Sequence, residues 1–149
     1  MAPEIADGEG EDIVDEVLKF FRANMLFSQF DIEGDADRTL IYLTAIASDI
    51  IKKNAKVGSL DEAQRSVTTY TATKTFKLPG DANFLPGLGH FFEKPSTKSN
   101  ADFLKSYLHQ CRVELGARLL QRLYNEDGTP NKWWMSYSKK SFMGMKLMK

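Results

Sequence analysis

Asp35 to Asn54 reads DADRTLIYLTAIASDIIKKN, and the fold turns on how this stretch is read. Leu40, Ile41, Leu43, Ile46, Ile50 and Ile51 are apolar, with Tyr42, Thr44, Ala45, Ala47 and Ser48 filling the gaps. At the helical period these residues cover nearly the whole circumference instead of one stripe. A helix of that kind has to be enclosed on several sides, and at about a dozen apolar residues it is too short to span a bilayer. Asp35 is placed to accept from the first free amides, Asp37 sits near the positive end of the dipole, and Lys52 and Lys53 near the negative end. The alanines and Ser48 let neighbours approach closely. The expected fold is therefore all-α, with about five helices around one buried central helix and a long irregular Pro/Gly loop.

The flanking chain fits that plan. Residues 1–10 are small, acidic and Gly-containing, which predicts disorder, and residues 11–149 form a single helical domain. Ile13, Val14, Val17, Leu18, Phe21 and Met25 predict a helix from Glu11 to about Ser28, with acids in its first turn. Phe20, Phe27 and Phe30 lie off or at the edge of its stripe. Ser59 with Glu62 makes a capping-box pattern for a third helix. Val67 to Thr75 has strand propensity, yet an isolated strand has nothing to pair with, so the helix is continued to about Thr73. Phe76 to Pro95 contains three prolines and three glycines and reads as an irregular segment, anchored by Phe84, Leu85, Leu88, Phe91 and Phe92.

A long helix follows from Asn100 to about Tyr124, with Ser99 and Asp102 as its capping pair. Phe103, Tyr107, Cys111, Leu115 and Leu119 form an i, i+4 ladder, and Gly116 within it predicts a close helix crossing. Asn125 to Gly128 ends the helix, and Thr129 and Pro130 are expected to start the next as N-cap and first residue.

Function classes narrow quickly. Net charge is zero over 149 residues, so the overall balance does not point to nucleic acid or an anionic membrane. The charge is nonetheless polarised: Glu4, Asp7, Glu9, Glu11, Asp12, Asp15 and Glu16 stand among the first residues, and Lys132, Lys139, Lys140, Lys146 and Lys149 among the last. A single cysteine, Cys111, excludes an internal disulfide and a thiolate metal cage, and it reads as a small core residue in a protein of the reducing cytosol. The acidic N-terminus resembles neither a signal nor a transit peptide. His90 and His109 lack partners at ligand spacing, so no metal is expected. Pro86-Gly87-Leu88-Gly89 lacks the Lys-Ser/Thr of a phosphate loop. No catalytic residue and no cofactor site is indicated.

What remains is surface. Trp133 and Trp134 are adjacent and project about 100° apart on a helix, so one fills the core and the other faces elsewhere. With Tyr137, Lys139, Lys140 and Phe142 they are the candidate protein-interface residues, an aromatic and basic partner face. The alternative is an independent module that binds a membrane surface or nucleic acid through this end, although five lysines are few for either.

Asp12-Ile13-Val14-Asp15-Glu16, Phe20-Phe21-Arg22-Ala23-Asn24 and Ala36-Asp37-Arg38-Thr39-Leu40-Ile41-Tyr42-Leu43-Thr44 resemble blocks of a known family. So do Leu78-Pro79-Gly80, Lys94-Pro95, Leu115-Gly116, Arg118-Leu119, Asn131-Lys132-Trp133-Trp134 and Lys139-Lys140-x-Phe142-Met143. The family is subunit three (p21-Arc) of the actin-related protein 2/3 complex. The resemblance implies a mainly helical, non-catalytic structural subunit of a hetero-oligomer that nucleates branched actin filaments. Its implied partners are the actin-related proteins, especially the larger one, and the other subunits, with the actin filament as a further candidate. It implies the cytoplasm and cytoskeleton as location, no bound nucleotide of its own, and neither nucleic acid nor membrane as partner. The chain departs from the family pattern in its shorter stretch ahead of Asp12 and in its threonine-rich Val67–Thr75.

Overall fold

The computed structural model describes residues 12–26, 34–57, 59–73, 76–82, 84 and 92–139, with the backbone alone for 24–26 and 35. These residues form α1 (Ile13–Lys19), α2 (Phe21–Leu26), α3 (Asp35–Asn54), α4 (Leu60–Ala72), α5 (Lys98–Leu123), α6 (Lys132–Met135) and a 3-10 helix (Ser136–Lys139). Among them β pairing is limited to one bridge, between Tyr124 and Pro130. Also among the described residues, no helix is long and apolar enough to cross a membrane. The acidic stretch 1–10, most of the Pro/Gly loop with Leu85, Leu88, His90 and Phe91, and the tail from Gly144 lie outside them.

Every residue of α3 from Ile41 to Ile51 is buried, and α1, α4, α5, α6 and the 3-10 helix all pack on it. Two of its polar side chains turn back on their own helix: Thr44 Oγ1 donates to the Leu40 carbonyl at 2.7 Å and Asn54 Nδ2 to that of Ile50 at 2.8 Å. The N-cap is Gly34, not Asp35. Asp37 supplies the carboxylate, accepting from the Gly34 amide at 3.2 Å. An acid one turn into the helix reaches back to the cap and still meets the positive dipole end.

The first expected helix is two. Phe20 takes a bridge-region backbone (φ −101, ψ 12) and separates α1 from α2. The kink lets Phe21 reach Trp134 and Tyr137, at ring-centroid distances of 5.7 and 5.2 Å, partners that no local signal announces. At the other end of α1, Asp12 is the N-cap, with Oδ1 accepting from the Asp15 amide at 2.9 Å. The same Asp12 oxygen accepts from Arg118 of α5 at 2.7 Å, and that guanidinium also meets Asp15 at 3.0 Å and Glu114 at 2.8 Å. Burial pushes the Asp12 carboxyl up, but Arg118 and the Asp15 amide outweigh it and hold the group below its ordinary value.

α4 and α5 lie antiparallel and close. A Cβ built on Gly116 would meet Val67 Cγ1 at 2.8 Å and Thr71 Cγ2 at 2.9 Å, so only glycine admits this crossing. One turn on, the buried Arg112 directs Nε and an Nη at the Thr71 and Thr73 carbonyls (3.5 and 3.4 Å) and donates to the Tyr42 hydroxyl at 3.1 Å. Its guanidinium carbon sits 4.0 Å from the Phe76 ring centroid. A cation at the last carbonyls of α4 meets the negative end of that helix, which is where α4 stops. The start of α4 matches the expected cap, Ser59 accepting from the Glu62 amide at 3.3 Å.

Three further boundaries or placements differ from expectation. α5 begins at Lys98 with Thr97 as N-cap, accepting from the Asn100 amide at 3.0 Å, instead of starting at Asn100 behind Ser99. α6 is capped by Asn131, because Thr129 and Pro130 are held in the turn that pairs Pro130 with Tyr124. Phe103, placed on the core ladder, is 45% exposed. The described part of the loop is pinned where Phe84 stacks on Tyr42 at 5.9 Å and Phe92 meets Phe84 edge-on at 5.1 Å.

Gly116→Ala is expected to lower stability by about 1–2 kcal/mol, because the clash with two stiff β-branched side chains exceeds the ~1 kcal/mol gain in helix propensity. Urea titration checks it, and adding Val67→Ala should recover part of the loss. Arg118→Met should cost about 2 kcal/mol at neutral pH. Asp12's lowered folded value means its stabilisation is complete above the unfolded value and fades as pH falls through the lowered one. The gap between the two proteins in urea melts should therefore be widest above the ordinary aspartate range and narrow as pH falls below it.

Candidate interaction surface

The chain reverses between α5 and α6 in a tight, heavily bonded turn. The Asn125 amide donates to the Thr129 carbonyl at 2.7 Å and the Asn131 amide to that of Leu123 at 2.7 Å. Asn131 Oδ1 then accepts from the amides of both Trp133 and Trp134, at 3.0 and 3.2 Å. That cap fixes the rotation of a helix only four residues long, and so decides which tryptophan faces inward.

Trp134 faces inward and is 9% exposed, with its ring against Phe21. Trp133 is 52% exposed, with its ring edge-on to Trp134 at 5.2 Å and to Tyr137 at 5.4 Å. Tyr137 is buried under it. Burial pushes the Tyr137 hydroxyl up, against the nearby charge of Arg22. Of the six residues read from the sequence, then, Trp133 and Lys139 are exposed, Trp134 and Tyr137 are consumed by the chain's own core, and Lys140 and Phe142 lie outside the described residues. The rings of Trp134 and Tyr137 lie beneath Trp133 and leave half of it exposed, while exposed Lys132 and Lys139 flank it in sequence.

Two exposed groups near this end were not singled out as site residues. Phe20 is 46% exposed, with the Lys19 ammonium 5.6 Å from its ring centroid. Arg22 is exposed too and lies by Tyr137. The visible signal was Phe20's place off the α1 stripe. The α1–α2 junction and the start of α2 thereby add an aromatic and a base to a region whose only expected contributors were C-terminal.

Nothing in the described interior is arranged for chemistry. Cys111 is buried, and burial pushes its thiol up, which leaves it protonated and unreactive. Tyr107, beside it, is pushed up to about 12, chiefly by burial. Among the described residues no three His, Cys, Asp or Glu side chains gather as metal ligands.

Comparison with known proteins gives a consistent result. A model of the P21-Arc family, described as the ARP2/3 complex ARPC3 (21 kDa) subunit, matches residues 2–147. The chain is 39% identical over 142 residues to actin-related protein 2/3 complex subunit 3 of Dictyostelium discoideum, covering 95% of this chain and 79% of that one. The corresponding Schizosaccharomyces pombe protein is 39% identical over 145 residues, with 95% and 80% covered. The Arabidopsis thaliana protein is 36% identical over 142 residues, with 95% and 79% covered.

The two tryptophans should separate cleanly. Trp134→Ala should cost about 3–5 kcal/mol, by cavity formation under the Phe21 contact, whereas Trp133→Ala should cost about 1 kcal/mol or less. Thermal or urea melts of the two single variants check the ranking.

Proposed function

The chain belongs to the P21-Arc family, and from that footing we propose how it works as a subunit of the actin-related protein 2/3 complex. It is a non-catalytic, structural component, and it supports nucleation of branched actin filaments through protein–protein contacts. The observation that carries this is the family match across residues 2–147. Cytoplasm and actin cytoskeleton follow as its place of action.

Its finer contacts are read from the surface. Trp133 and Lys139, with Lys140 and Phe142 following in sequence, are read as a partner face, and the larger actin-related subunit is the partner the family resemblance puts first for the chain. The actin filament is a second candidate for the same basic end. An exposed tryptophan backed by two other rings resembles the aromatic anchors that dominate interfaces, and flanking lysines add orientation and association rate. The membrane or nucleic-acid alternative has no comparable support, since a lone tryptophan among a few lysines offers neither an amphipathic helix nor a stacking platform.

Affinity capture of the tagged full chain from its own cells, washed at high salt, tests the reading. Recovery of both actin-related proteins and the other subunits in near-equal amounts is expected, because an obligate interface with an apolar core survives salt. Trp133→Ala combined with Lys139→Glu should reduce that recovery while the melting temperature stays within a few degrees of wild type. Recovery of the bait alone, or of salt-sensitive lipid or nucleic acid, would overturn the assignment.

A further inference from the structure

α4 and α5 touch at Gly116 and part on the solvent side, leaving a groove of about 730 Å³. Thr68 and Ala72 of α4 line one wall, and Val113, Ala117 and Leu120 of α5 the other. Val113 is 41% exposed and Ala117 is also exposed. The α4 lining residues nearest the solvent are Gln64, Thr68 and Ala72, so past Gln64 a visiting element can approach the helix backbone over two small side chains. Beyond the end of α5, Tyr124, Asn125 and Glu126 of the turn complete the lining. The Glu126 carboxylate is the single charged group among the described lining residues, in a chain of which 27% is charged. Bases such as Arg65 and Arg122 are exposed on the same helices but do not line it.

Resting on the family reading above, we propose that this groove is a docking site for a helix of another subunit of the complex. The helix presents an uncharged, apolar ridge to Val113, Ala117 and Leu120 and a basic residue at the end beside Glu126. A valley between two packed helices matches the ridge of a third by the same geometry that packs helices in a core. A charge-free floor rejects a ridge bearing an ion, which would be buried without a partner, and Glu126 sets the direction in which the ridge lies. A second copy of this chain fits poorly. An isologous pairing sets groove against groove, and neither a protruding ridge nor a base is present among the described lining residues to answer Glu126. The groove runs along α4 and the outward side of α5 and reaches only the first residues of the following turn, while Trp133 does not line it, so it is a different surface from the Trp133 face and the subunit engages the complex through two sides.

The test uses the absence of competing thiols. Cys111 is the sole cysteine and is fully buried, so Ala117→Cys adds one reporter with minimal change in volume. Maleimide should label that cysteine readily in the free full chain and about tenfold or more slowly in the purified complex. Ala117→Glu should enter the complex at about a tenth of the wild-type level or less, with an unchanged melting temperature, while Ala117→Ser enters normally. Glu126→Lys should enter less well than Glu126→Gln. Equal labelling of the free and assembled protein, or full incorporation of both Ala117→Glu and Glu126→Lys, would overturn the proposal. Protection already present in the free chain would overturn it too, in favour of a second copy or the chain's own termini. If wild type assembles while the cysteine labels freely, the groove alone is at fault. If wild type recovers no other subunit, the family-based reading fails with it.

Discussion

A helix with no polar side is unstable until something covers each side, and α3 imposes that demand on the rest of this chain. Ile41 through Ile51 are all buried, so neighbours are needed around the whole circumference. α1, α4, α5, α6 and the 3-10 helix answer it. The demand also dictates how polar residues are used. Thr44 and Asn54 bond back to α3's own carbonyls, so none of the surrounding helices has to supply a partner. Tyr42 is the exception. Its hydroxyl accepts from Arg112, its ring carries Phe84, and so one side chain ties α5 and the loop segment to the same helix.

Much of this was legible. The limits of α3, Asp35 and Asn54, fall where the sequence sets them, because a continuous apolar run ending in paired lysines leaves little choice. α4 is a helix to Ala72 in spite of its β-branched residues. Propensity is a weak preference, and Val67 and Thr71 are held by their packing on Gly116. Gly116 itself signalled the crossing, since a helix-interior glycine is costly unless something needs the space. The caps were harder. Thr97 and Ser99 both fit the pattern of a capping residue, and Asn100 and Asp102 both stand three residues on, so local chemistry does not choose between them. Thr129-Pro130 looks like a helix start but is claimed by the antiparallel bridge to Tyr124, a contact across the turn.

The candidate site shows the same division. Helical geometry says that adjacent tryptophans diverge, but not which turns inward. That is settled by Phe21, from the other end of the sequence, and by the Asn131 cap. Phe103 failed as a core residue for a reason visible in hindsight. Each i, i+4 step overshoots a full turn by about 40°, so a ladder of four steps swings through about 160° and cannot hold one face. Cys111, Leu115 and Leu119 are buried, and Phe103, at the far end of the drift, emerges into solvent. Arg112 was not singled out at all. A buried arginine on an apolar ladder makes sense only once the end of α4 is seen against it.

These packing choices explain why the molecule acts by contact. Several of its buried donors point inward at backbone carbonyls: Thr44, Asn54, Thr71 and Arg112 each donate to helix ends or helix interiors. A site for chemistry needs polar groups that converge in an open cleft, and among the described residues no metal-ligand cluster forms and the one thiol is buried. What the fold leaves over is apolar and outward. Phe20, Phe103, Val113 and Trp133 are large, exposed and carried on separate elements, α1's end, α5 and α6. Enclosing α3 consumes the inner faces of these helices and fixes them rigidly, so each leftover side chain is presented at low entropic cost to a partner. The same enclosure that makes the core self-sufficient therefore makes the surface suited to joining other chains.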